Sequence, residues 1–276
     1  MKKLLELKNI SKTFYSEKGL LFSRGAAKEA CKNINMSISS GEIVALVGES
    51  GSGKTTLSRI AAGLLSPDSG AVFIEGRALE RYSPLQRASK IGIVFQNPSD
   101  SLNPVLTGGY MIREALRNRK RLDYQNPPPE LSSAESIFAE FSLDFKLASS
   151  RPGDMSGGQR QRLAAARSFA MFPSCLVLDE VTSSLDVSTA ASIIKLLKRI
   201  NARYGTAMLF ITHNLVLAEI ISERMFVMKE GEIVESGSTW EVFGSPRHPY
   251  VRELKAAGML SREEAGASRY AGRESA

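Results

Sequence analysis

The run Ile43-Val44-Ala45-Leu46-Val47, continuing without a break into Gly48-Glu49-Ser50-Gly51-Ser52-Gly53-Lys54-Thr55-Thr56, decides how this chain is read. Consecutive apolar residues, several of them β-branched, predict a strand covered on both faces, as in a parallel sheet flanked by helices. The segment from Gly48 to Thr55 fits the spacing G-x-x-x-x-G-K-[ST] in the setting that gives it meaning, directly after a strand and opening a helix near Lys54. The glycines let the backbone wrap close to a phosphate, so that successive N–H groups point inward. The positive end of the adjoining helix adds to the same anion site. Lys54 is placed to reach the β- and γ-phosphates, and the Thr55 hydroxyl to ligate Mg2+.

Outward from this loop, three more short apolar runs read as strands: IGIVF over 91–95, CLVL over 175–178 and AMLFI over 207–211. An amphipathic helix is predicted over 187–203, ending before a Tyr-Gly turn. The strand runs lead into Gln96, Asp179 and His213, as the first leads into Gly48. In open parallel sheets ligands bind beyond the carboxyl ends of the strands, so four strands deliver polar groups to one edge. A carboxylate at the end of a buried strand is costly unless it meets a metal or a donor. Asp179 is therefore placed to bind Mg2+, directly or through water, and Glu180 to polarise an attacking water.

Ser156-Gly157-Gly158-Gln159 precedes the helical run RQRLAAARSFAMF. Ser at the cap with Gln three residues on forms a capping box. The two glycines weaken a helix start and make sense where a phosphate must approach closely. That phosphate is not the one cradled by Gly48 to Thr55, which points to a second subunit.

Taken in order, these motifs resemble those of the ATP-binding cassette (ABC) transporters, over nearly the whole chain. The phosphate loop, Gly48 through Thr56, matches Walker A, and CLVLDE, ending in Asp179 and Glu180, matches Walker B. Met155-Ser-Gly-Gly-Gln159 matches the signature, with Met where Leu is usual, and Val181 stands where Pro is common. The resemblance implies that Gln96 couples the Mg2+ site to membrane subunits and that Ser183 to Asp186 contacts a partner across a dimer. It implies that His213 contacts the γ-phosphate and that Phe14, or alternatively Tyr15, stacks on adenine. The implied catalytic set is Glu180, His213, Lys54 and Gln96, with Thr55, Gln96 and Asp179 around Mg2+ and Ser156 to Gln159 serving the partner's ATP. The implied fold is α/β: a phosphate-loop NTPase core with a mainly parallel sheet, an N-terminal antiparallel β subdomain and an inserted helical subdomain.

QNPSDSLNP from Gln96 and SPRHPY ending at Tyr250 resemble segments of the peptide, nickel and opine importer group, in which the chain is similar to the "F"-type member of a dissimilar ATPase pair. Pro249 is equally a favoured first residue of a helix. The implied partners are a second ATPase subunit, forming a heterodimer, two permeases and, indirectly, a solute-binding protein. The implied place is the cytoplasmic face of a membrane, peripherally bound. An ATPase driving export, and a cassette ATPase acting away from membranes, are the alternatives. Peptide, nickel and metal–chelate cargoes stay open.

The 276 residues are 43% hydrophobic and 24% charged, ordinary values for a globular chain that can bury a sizeable core. No apolar stretch approaches the roughly 18 to 20 residues of a membrane helix, and MKKLLELKNISKTF lacks the apolar core of a signal peptide. Cys31 and Cys175 lie in no metal-ligand pattern, and Cys175 reads as a small core residue. Lys and Arg are spread among acids, so the net charge of +7 does not point to nucleic acid; the RNRKR run from Arg117 reads as a solvated helix end. One ATPase domain over 1–260, with a helical subdomain over about 97–158, and a flexible tail over 261–276 are expected.

Overall fold

The computed structural model describes residues 3–15, 27–122 and 127–257. The tail expected from 261, and Asn126 of the proline-rich stretch, lie outside these residues. Two sheets organise the chain. Strands β1 (Lys3–Tyr15), β2 (Ala27–Ser39), β4 (Ser69–Ile74) and β5 (Arg77–Ala78) form an antiparallel sheet in the order β2-β1-β4-β5. Strands β3 (Ile43–Val47), β6 (Ile91–Val94), β7 (Cys175–Asp179), β8 (Ala207–Thr212), β9 (Arg224–Lys229) and β10 (Glu232–Ser238) form the second, ordered β10-β9-β3-β8-β7-β6. Its pairs are parallel except β9 with β10, so the sheet is mainly parallel, as expected.

The five residues of β3 are all buried, and alternate side chains enter different cores. Val44 and Leu46 face the antiparallel sheet, packing with Leu5, Leu7, Ile34 and Ile38, whereas Ala45 and Val47 meet Leu215, Met225, Val227 and Tyr250. This two-sided burial is why the run reads as continuously apolar. On the far side of the sheet, helices α3 (Gly108–Lys120), α4 (Ala134–Glu140), α5 (Gly157–Phe169) and α6 (Val187–Tyr204) enclose a third core around Phe138, Phe141, Phe169 and Phe210. Gly92 on β6 lets α5 approach closely, since a Cβ there would stand 2.5 Å from Ser168 Oγ.

The predicted strands and the long helix form, with small shifts at their ends. α6 runs one residue further than expected, to Tyr204, and stops where Gly205 takes a left-handed conformation (φ 65°). The helix expected from Arg160 begins earlier, at Gly157, and ends at Phe169, because Phe172 turns out of helical geometry at φ 55°. The solvated-end reading of RNRKR is corrected at one residue. Arg119 is only 4% exposed and donates to the Ala170 carbonyl at 3.0 Å and the Leu131 carbonyl at 2.7 Å. Two carbonyls that need donors explain why a guanidinium is tolerated there.

Candidate active site

The phosphate loop is seated by its neighbours before any ligand is considered. A Cβ on Gly48 would stand 2.2 Å from the Met228 carbonyl oxygen, and one on Gly53 2.0 Å from that of Ala30. Gly53 also has φ 110°, which an L side chain rarely adopts, as it caps α1 (Lys54–Ala61). These two glycines are therefore fixed by close backbone approach. The Gly231 N–H donates to the Ser52 carbonyl at 2.9 Å, tying the β9–β10 turn to the loop.

Lys54 is 3% exposed, and its ammonium donates to the carbonyls of Gly48 (2.8 Å) and Glu49 (2.7 Å). Burial pushes its pKa down, while the carboxylates of Glu180, Asp179 and Glu49 oppose that shift. Asp179 ends β7, also 3% exposed; its Oδ2 accepts from Ser58 Oγ of α1 at 2.8 Å. Its Oδ1 is buried with no partner. Burial raises the Asp179 pKa, and the neighbouring Glu180 charge raises it further. An orphaned buried carboxylate oxygen beside a phosphate loop suits a cation, as does the hydroxyl of Thr55. Among the described residues, no three or more His, Cys, Asp or Glu side chains gather into a cage of their own. Mg2+ commonly keeps phosphate and water ligands, so the donor set fits a metal brought with a nucleotide.

Glu180 comes next in the chain at φ 47°, a left-handed conformation uncommon for Glu, held by its N–H to the Ile211 carbonyl at 3.0 Å. The turn aims its carboxylate into the edge of the sheet. Oε1 lies 3.9 Å from Lys54 Nζ, and Oε2 lies 3.3 Å from His213 Nδ1. Gln96 is exposed, and its Nε2 donates to Ser183 Oγ at 3.2 Å. Ser183 Oγ in turn donates to the Glu180 carbonyl at 2.9 Å, which links Gln96 to the Glu180 turn.

A cavity of about 240 Å3 opens over the loop, lined by Phe14, Lys28, Ser50, Lys54, Gln96 and Glu180 among others. Thr55 and Thr56 also border it. Phe14 lies at its rim and Tyr15 does not line it. Lys28 carries no sequence motif that would single it out. It sits on β2 opposite Phe14, and its Nζ is 3.9 Å from where a Gly51 Cβ would stand. Only strand pairing brings it there.

Ser156 to Gln159 do not line this cavity. Ser156 caps α5 in the predicted box, with Gln159 answering. A Cβ on Gly158 would stand 2.7 Å from Thr189 Cγ2, and one on Gly157 3.8 Å from Leu185 Cδ2, so the signature packs beside the start of α6.

A buried lysine in a glycine-rich loop after a parallel strand, facing an Asp-Glu pair at the end of another, defines a nucleoside triphosphatase of the phosphate-loop class. The chain belongs to the ABC transporter family, whose domain matches residues 31–183. It is 38% identical over 260 residues to an oligopeptide transport ATP-binding protein, OppF, of Streptococcus pyogenes serotype M1, covering 92% of this chain and 81% of that protein. A nickel import ATP-binding protein, NikE, of Escherichia coli O157:H7 is 39% identical over 212 residues, covering 76% of this chain and 78% of the other. A solved dimeric ATP-binding cassette in a post-hydrolysis state, bound to ADP and Pi, is similar with a TM-score of 0.71 at 30% identity, covering 86% of this chain and 99% of that one. The chain is thus an ATP-binding, ATP-hydrolysing subunit of an ABC transporter. Among the described residues no helix is long and apolar enough to cross a membrane.

Proposed function

We propose that this subunit drives a binding-protein-dependent importer of peptides, nickel or metal–chelate complexes, docked on the cytoplasmic face of a membrane. The similarity to a nickel import ATP-binding protein supports that direction, and that protein and the oligopeptide transport relative support nickel and peptides as cargo. Its partners are two permeases, indirectly a solute-binding protein, and a second, dissimilar ATPase subunit. The observation that carries the dimeric reading is the separation within one chain: Ser50, Gly51 and Gly53 to Thr56 border the cavity and Ser156 to Gln159 do not. A phosphate approached by both sets of N–H groups is most simply shared between two subunits.

Within that site the amides from Gly48 to Thr56 and the Lys54 ammonium cradle the phosphates, while the Phe14 ring takes the adenine. Thr55, Asp179 and Gln96 would hold Mg2+, which neutralises charge on the β- and γ-phosphates. Glu180 accepts a proton from the attacking water as its oxygen bonds to the γ-phosphorus and the bond to the β-phosphate oxygen breaks, giving ADP and phosphate. His213, already beside Glu180, donates toward the transferring phosphoryl group, and Lys54 stabilises its charge. Gln96, tied through Ser183 to the Glu180 turn, passes closure on to the permease. The test is Glu180→Gln in the complex with its partner ATPase. ATP binding should persist, turnover should fall by at least about a hundredfold, on the order expected for a general base, and a closed dimer should accumulate on size exclusion with ATP. Full turnover in that variant would remove Glu180 from its assigned role. Cargo is read by ATPase stimulation in reconstituted complexes given binding protein loaded with peptide or with nickel.

A further inference from the structure

Tyr250 belongs to the segment Ser245-Pro246-Arg247-His248-Pro249-Tyr250, which so far serves only as a mark of resemblance. Each residue at its centre has a physical task. Glu235 of β10 accepts the N–H groups of Arg247 and His248, both at 2.9 Å, and so fixes the segment to the sheet. His248 Nδ1 accepts the Tyr250 N–H at 3.2 Å, capping a helix that starts at Pro249 and is described through 257. The Tyr250 side chain is then 3% exposed, packed with Val47, Val227 and Val251. Lys229 Nζ lies 4.7 Å from its ring centroid.

Its hydroxyl reaches the phosphate loop, accepting the Glu49 N–H at 2.9 Å across 201 residues of sequence. The Glu49 carbonyl is held as well, by Lys54 Nζ and by the Ser52 N–H at 3.2 Å. The first turn of the loop is thus gripped from both sides, while Gly231 holds Ser52 from a third direction. A path of strands and hydrogen bonds closes on itself: β3 into the loop, β9 beside β3, β10 beside β9, then Glu235, His248 and Tyr250 back to Glu49.

We propose that Tyr250 is a positioning residue for ATP binding: its hydroxyl presets the phosphate loop and makes seating of the terminal helix part of nucleotide affinity. A preset loop loses less freedom when phosphates bind. The inference rests on reading Gly48 to Thr55 as the ATP loop, and Lys54→Ala tests that reading alone. If that variant binds a fluorescent ATP analogue as the wild type does, the loop reading fails whatever Tyr250 does.

The experiment measures analogue affinity and ATPase parameters for the full chain in complex with its partner subunits. Tyr250→Phe keeps the ring and removes one acceptor, and should raise Kd and KM about three- to tenfold with kcat within about twofold, the range of one net hydrogen bond. Val242→Ala is the structural control, from the same core but outside the terminal helix; it should melt earlier and bind ATP as before. In a Glu49→Pro background, which lacks the donor N–H, adding Tyr250→Phe should change affinity no further. Wild-type affinity in Tyr250→Phe overturns the inference. So does equal weakening in Val242→Ala, or a full effect of Tyr250→Phe on the Glu49→Pro background.

Discussion

Asp179 is held in the charged site at a cost to the empty protein. Its carboxyl is buried beside Glu180, and both conditions raise its pKa, with only the Ser58 hydroxyl and the Lys54 and Arg59 cations opposing them. A carboxyl whose folded pKa lies above its unfolded value of about 3.9 binds its proton more tightly in the native state. Stability of the nucleotide-free protein therefore falls as pH rises from about 4 through the raised value, then levels off. Asp179→Asn removes that cost. The variant should melt at the same temperature as wild type or a few degrees higher at neutral pH, the scale of about 1 kcal/mol in a domain of this size, and lose the added stabilisation by Mg2+ with ATP. A lower melting point in the empty variant would show that the ionised carboxylate is instead a structural asset.

At the scale of elements, the start of α5 is set by its neighbour α6. Gly158 lies in the first turn, where a methyl would meet Thr189 Cγ2 at 2.7 Å. Thr189 cannot swing away freely, because its hydroxyl donates to Asp186 Oδ2 at 2.7 Å. Gly158→Ala should destabilise by about 1–3 kcal/mol, the range for overpacking, seen in denaturant titration. Adding Thr189→Ser keeps the hydroxyl and deletes the offending methyl, so it should recover at least half of the loss; no recovery would place the conflict elsewhere. The same elements show what sequence can convey. β3, β6, β7 and β8 are legible because burial on both faces leaves an unbroken apolar run. The antiparallel sheet is reached only through family resemblance, since β1 and β2 carry register shifts and left-handed Asn9 and Asn33 that break any alternation. In the site, motif residues are legible and their couplings are not. Ser58 with Asp179 spans 121 positions and Gln96 with Ser183 spans 87, and no local pattern encodes such pairs. Arg119 reads as solvated for the same reason: its carbonyl partners lie outside its helix.

For the whole molecule, the glycine-rich loop from Gly48 is where three packed regions meet: the sheet-to-sheet core below, α1 beside Asp179, and the terminal helix through Tyr250. A ligand that binds only the folded chain stabilises it by about 2.7 kcal/mol at a hundredfold excess over Kd. Melting curves with ATP should shift upward as one cooperative transition, because the loop is bonded into all three. Lys54→Ala should abolish the shift while leaving the ligand-free curve near that of wild type. Two separated transitions with ATP would mean that the terminal helix melts independently of the site.

Both cysteines of the chain, Cys31 and Cys175, are buried, and burial pushes each thiol up to about 12. The thiolate is the reactive form, so neither should be modified by maleimide near neutral pH until the chain unfolds. The native molecule is accordingly a blank background for labelling. One cysteine introduced beside the signature, at exposed Asp154, and another on a partner subunit would carry a dye pair without removing any native residue of the core. If the subunit pairs as proposed, the distance between those dyes would track opening and closing of the pair, turnover by turnover.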